Sequence, residues 1–243
     1  MSQPTQRLLE GLKLMHKGAL LLVIGSLVFG AGLASLFLSL IPLALTKVTV
    51  SWEARVGGEH GWTPMTPAVG PSVPWISAKQ GAPLLAGALL AVFVLSVTAI
   101  LAGAIVSLIG LYAYFVPGTR RLADAEPRYS LPSTLVRIGY VWGLVLAIVG
   151  AVLLVIVIGI FVLIPGLILL LIGEIGLIIL AFYLYDYEKN SLYLAAAILF
   201  IVGLFIPILP FIGWILMYAA LGDTIRKYSS IQAQPGPPAL PPV

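Results

Sequence analysis

The eleven residues from Leu169 to Ile179 read LLLIGEIGLII, and Glu174 is the single group among them that can hold or release a proton. Chemistry at such a carboxylate needs partners, and the sequence offers few. The two histidines, His16 and His60, lie outside the long apolar runs, so a buried serine has no imidazole base. An intramembrane carboxylate dyad needs two deep carboxylates, and only Glu174 is deep. There is no H-E-x-x-H pair and no Gly-x-x-x-x-Gly-Lys loop. There is also no cysteine for thiol or disulfide chemistry. Glu59-His60 supplies two adjacent ligands, too few for a metal site. The expectation is a protein that is not an enzyme, with no catalytic residue, no metal and no cofactor.

What must position Glu174 follows from composition. Hydrophobic residues make up 60% of the 243 and charged residues 9%, where a soluble domain carries about a quarter. The mean hydropathy is +1.11. Apolar runs longer than the roughly 18 residues that mark a membrane helix recur along the chain. The expected fold is an all-α membrane protein, a bundle of about six transmembrane helices, with five as the alternative. The excess of Lys and Arg (13) over Asp and Glu (9) concerns orientation in the membrane, not nucleic acid.

Residues 1–17 place Leu8, Leu12 and Met15 at helical spacing among Arg7, Lys13 and Lys17, which predicts a cytoplasmic amphipathic helix at the interface. Residues 18–228 form the membrane domain. Within it, 47–82 is expected to be one larger extracellular loop: KVTVSWEARV alternates as a strand does, and the rest is crowded with Gly and Pro. A second apolar run, 83–116, ends at Pro117-Gly118. A third, 138–163, turns at Ile164-Pro165-Gly166 into a fourth helix from about Leu167, which DYEKNS closes. The last run, 191–222, is interrupted by FIPILPFIG, either a kink or a hairpin. The two Ile-Pro corners hint at an internal repeat. Residues 229–243 are a Pro-rich tail, extended and mobile or docked on a partner.

Charge arbitrates between five and six segments. With six and a cytoplasmic N-terminus, Arg7, Lys13, Lys17, Arg120, Arg121, Arg128, Arg137, Lys189, Arg226 and Lys227 lie inside. Only Lys47, Arg55 and Lys79 lie outside. With five, Arg226 and Lys227 move outside and the bias weakens. The positive-inside rule therefore favours six segments, both termini cytoplasmic, in a multi-pass cell-membrane protein.

The opening EGLKLMHKGALLLVIGSLVFGAG and the close IPILPFIGWILMYAALGD with its basic end resemble an archaeal family of hydrophobic proteins, domain of unknown function 973. The resemblance spans about Leu8 to Tyr228, without the tail and much of the 47–82 loop. It implies an archaeal cell membrane, often of a thermophile, and brings no activity or site residue. The single Asn and the lack of Cys fit a thermophile too.

Small residues repeat at Ala31, Ser35 and Ser39 and at Gly139 and Gly143, faces that allow close helix approach or a homo-oligomer seam. Trp52, Trp62 and Trp75 in the loop read as interfacial anchors or a partner-binding surface. Tyr183, Tyr185, Tyr187, Tyr112 and Tyr114 read as anchors at inner helix ends. Glu174 has no deep cation to pair with, so it is expected to carry a proton and to bond a backbone carbonyl or a hydroxyl such as Ser35, Ser96, Thr98 or Ser107. Two functions follow. One is a structural or accessory component of a membrane assembly, whose partners are lipids and a homo-oligomer or membrane-protein complex. The alternative is a small transporter or channel using Glu174 and Pro-broken helices.

Overall fold

The computed structural model describes residues 3–56, 78–154, 158–206 and 208–233, and every regular element among them is helical. They form six continuous helices. α1 is Gln3–Val56. α2 covers residues 78–125, in which a π-helical stretch, Gly110–Phe115, joins Ala78–Ile109 to Val116–Ala125. α3 is Pro127–Leu153 and holds a second π stretch at Ile138–Trp142. α4 is Gly159–Glu188, α5 Ser191–Gly203 and α6 Leu209–Ala233. Four stretches are long and apolar enough to cross a membrane: Gln6–Ile41, Gly87–Ala125, Pro127–Leu153 and Gly159–Glu188. Their outward faces carry large apolar side chains, such as Leu95, Val152 and Phe161, that a water-facing surface would not present in such density. Residues 1–26 with 105–243 form one compact unit, and residues 27–104 form a second.

The N-terminal segment is not a separate interfacial helix. α1 runs through residue 17 without a break, and its apolar face meets protein. Leu8, Leu12, Met15, Ala19 and Leu22 repeat every three or four residues and join a core with Phe115, Val116 and Leu122 of α2 and Met217 and Leu221 of α6. The expected strand is also corrected. KVTVSWEARV forms the last turns of α1, and Ala78 already opens α2, so the loop is shorter than 47–82. β-branched residues cost a helix only tenths of a kcal/mol each, roughly what one added hydrogen bond returns once a helix is nucleated.

Two prolines expected to end helices do not. At Pro117 the π stretch shifts the bonding, Val116 N–H reaching the Leu111 carbonyl. Pro117 then occupies the first turn of the next α-helical stretch, where a missing donor costs little. Pro165 lies inside α4. α3 ends at Leu153 and α4 begins at Gly159 instead. A Cβ on Gly159 would overlap the Gly150 carbonyl oxygen, so no larger residue fits there. The Ile164-Pro165 pair is therefore not a corner.

Two breaks fall as expected. α5 ends at Gly203 and α6 begins at Leu209, with the Pro210 ring packed over Gly203. Between α4 and α5, Lys189 takes the left-handed conformation (φ 55°) and Asn190 caps the next helix, its Oδ1 accepting Leu192 N–H at 3.0 Å. The only asparagine of the chain is spent on this cap. Trp62, Trp75, the remainder of residues 57–77, the side chain of Trp52 and the tail from 234 lie outside the described residues.

Candidate functional site

α3 and α4 pack along a seam of glycines. A Cβ on Gly139 would overlap the Gly173 backbone nitrogen, and one on Gly143 would meet the Leu170 nitrogen at 2.7 Å. Gly150 faces Leu163, and Gly166 faces Ala147, as closely. The Gly139–Gly143 spacing thus marks a seam within the chain, where helix backbones touch through dispersion contacts available only without side chains.

The residues that follow two of these glycines, Tyr140 and Glu174, are brought together by the crossing. The Tyr140 hydroxyl donates to Glu174 Oε2. Glu174 stands fifteen residues into a 30-residue helix, about 22 Å from its start, rather than two turns from a corner. Its partner is neither Ser35, Ser96, Thr98 nor Ser107. Ser96 donates to the Val92 carbonyl and lies 2.9 Å from the Ser35 hydroxyl, from which it can accept, and Thr98 donates to the Val94 carbonyl. Gly173, Leu177 and Ala181 on the same side of α4 are buried, as the sequence implies.

A third group completes the site. The Tyr112 hydroxyl donates to the Tyr140 carbonyl at 2.5 Å. Tyr112 is therefore turned onto α3 and is not a headgroup anchor. Both tyrosines lie in the π-helical stretches, Tyr112 in Gly110–Phe115 and Tyr140 in Ile138–Trp142. Such turns disturb the regular carbonyl ladder and re-aim the side chains they carry. Nothing in the sequence announces a π turn. The signal that was available is Gly139, which fixes where α3 meets α4 and so what Glu174 must face.

The charged groups gather at one end of the larger unit. Arg121 pairs with Glu10 at 3.0 Å, tying α2 to α1. Arg128 bonds Glu126 and lies 4.6 Å from the Tyr187 ring centre, tying α3 to α4. Glu188, with a side chain only 4% exposed, accepts Lys227 Nζ at 3.1 Å and the Tyr228 hydroxyl at 2.7 Å, tying α4 to α6. Beneath these pairs the core is closed by aromatics: Trp214 of α6 meets Phe115 of α2 and Phe200 of α5 edge-on, at 5.0 and 5.3 Å. Among the described residues no cluster of three His, Asp or Glu is placed to hold a metal. Likewise, no buried side-chain nitrogen or oxygen among them lacks a hydrogen-bond partner. No family model, curated protein or solved structure matches the chain.

Proposed function

We propose that this is a multi-pass membrane protein in which all six helices enter the bilayer, both termini facing the cytoplasm, and which serves as a structural or accessory component of a membrane assembly. The observation that carries the reading is how Glu174 is used. It faces a dedicated neutral donor, Tyr140, across a glycine crossing too tight for a pathway. The arrangement joins helices. A proton relay needs groups that take up and pass on protons in series. Tyr112 reaches Tyr140 through a backbone carbonyl, which carries none, so the series is interrupted there.

Orientation rests on charge. The ten cations assigned to the cytoplasm fall toward the charged end of the larger unit, the farthest, Arg137, about two and a half turns along α3 from Arg128. α5, with 13 residues, reaches only about 20 Å, so the α5–α6 hairpin enters the bilayer shallowly while α6 continues into the charged end. The resemblance to domain of unknown function 973 implies an archaeal cell membrane and adds no activity.

The transporter reading ranks second. It draws on Glu174 and on broken helices, but Pro165 lies within an unbroken α4. Isolation in mild detergent decides between the two. A stoichiometric co-purifying membrane protein is expected. A homo-oligomer that conducts ions after reconstitution, and that stops when Glu174→Gln is introduced, overturns the proposal.

A further inference from the structure

Three cations at the charged end stand apart from the paired ones. Lys13 and Lys17 of α1 and Arg226 of α6 line a cleft of about 590 Å³ with His16, Tyr218 and Asp223. Among the described residues none of the three makes an ion pair; Arg7, Arg120 and Arg137 make none either, but it is Lys13, Lys17 and Arg226 that converge on one cleft. Three positive charges face one carboxylate, so the cleft has an unsatisfied demand for anionic oxygen.

The walls are built. Lys13, His16 and Lys17 are spaced i, i+3, i+4 and share one face of α1. Opposite, Gly222 brings the α6 backbone close; a Cβ there would stand 3.2 Å from the His16 ring. The imidazole stacks on Tyr218 with ring centres 4.2 Å apart, and its Nδ1–H donates to the Tyr218 carbonyl at 3.1 Å. One further turn along each helix, away from the charged end, the surface becomes apolar: Leu20 and Ile24 on α1, Ile212 and Ile215 on α6, all exposed. A soluble anion makes no use of that surface, but an acyl chain does.

We propose that this cleft between α1 and α6 binds the phosphate of an anionic lipid headgroup, with Lys13, Lys17 and Arg226 as its cations and the apolar faces beside it taking the lipid tail. Arg226 offers a planar fork to phosphate oxygens and the lysines act as mobile point charges. The inference builds on the membrane reading. Its failure is separable, because topology reporters test that reading without reference to lipid charge.

The test titrates the full-length protein in neutral detergent with phosphatidylglycerol, phosphatidylcholine and inorganic phosphate, following thermal unfolding. Phosphatidylglycerol is expected to raise the melting temperature, and the other two at equal concentration are not. A basic residue near an anionic surface contributes roughly fivefold in affinity, so Lys13→Gln, Lys17→Gln and Arg226→Gln together should raise the half-effective lipid concentration about 100-fold. Lys189→Gln, at the same end, should titrate as wild type. Asp223→Asn removes the one carboxylate, and should lower the concentration needed. A triple variant that titrates as wild type overturns the proposal, as does a Lys189→Gln variant equally impaired or an Asp223→Asn variant that binds no better. A shift with inorganic phosphate as large as that with lipid makes this a soluble-anion site and overturns the lipid assignment.

Discussion

Glu174 and Glu188 lie on the same helix, about 21 Å apart along its axis, and each is held by a tyrosine. They differ in what else reaches them. Glu188, at the charged end, also takes a lysine, and that lysine is more than half exposed to solvent. Glu174, at mid-helix, takes a neutral hydroxyl. A lysine at the end of a helix keeps its ammonium in water while its stem lies on protein; one at mid-helix would strand its charge. Depth, then, selects the chemistry of the partner, and a carboxylate far from water is satisfied by a donor that brings no charge.

The comparison yields predictions of decreasing size. The largest effect comes from spoiling the crossing itself. Gly139→Leu places side-chain atoms inside the α4 backbone and should cost at least about 3 kcal/mol, read as loss of a folded, monodisperse protein in detergent. Next, Glu188→Ala removes two charge-assisted hydrogen bonds, from Lys227 and from Tyr228. It should cost about 2 kcal/mol in thermal unfolding, discounted because Lys227 regains water. That loss should shrink in about 1 M salt, where exposed charges are screened. Third, Glu174→Leu should lose about 1 kcal/mol, independent of salt, while Glu174→Gln should stay near wild type because an amide still accepts from Tyr140. A salt-sensitive Glu174→Leu would break the distinction between the two carboxylates. Smallest, Tyr112→Phe removes one bond to a carbonyl and should cost roughly 0.6 kcal/mol. A larger loss would show that Tyr112 holds the α3 π stretch open.

The all-helical class with its long apolar helices, the break between α5 and α6 and the helix end at DYEKNS were legible because each has a local cause. A long apolar run, a proline pair and a cluster of polar residues are each read from one stretch of chain. Glu174 was legible too, as a carboxylate with no cation nearby. Its partner was not. Tyr140 sits close to the start of the apolar run at 138, and a tyrosine near a run's edge reads as a headgroup anchor. The helix in fact begins at Pro127, which carries Tyr140 inward. Pro117 and Pro165 misled for a related reason. Proline ends a helix when water can take over the lost bond. Between packed helices the chain keeps its path, and a neighbouring π turn or a glycine contact absorbs the defect.

The Gly139–Gly173 contact has a bearing on how the sequence can drift. At most packed positions a larger side chain on one helix can be accommodated by a smaller one across from it, so the two positions wander as a pair. Ser35 and Ser96 have that freedom. Two glycines do not, since neither has an atom to surrender. Descendants of this chain that keep the α3–α4 crossing must keep both residues unchanged, and with them the register that sets Tyr140 against Glu174. The least conspicuous residues of the protein are thus the ones that inheritance can alter least.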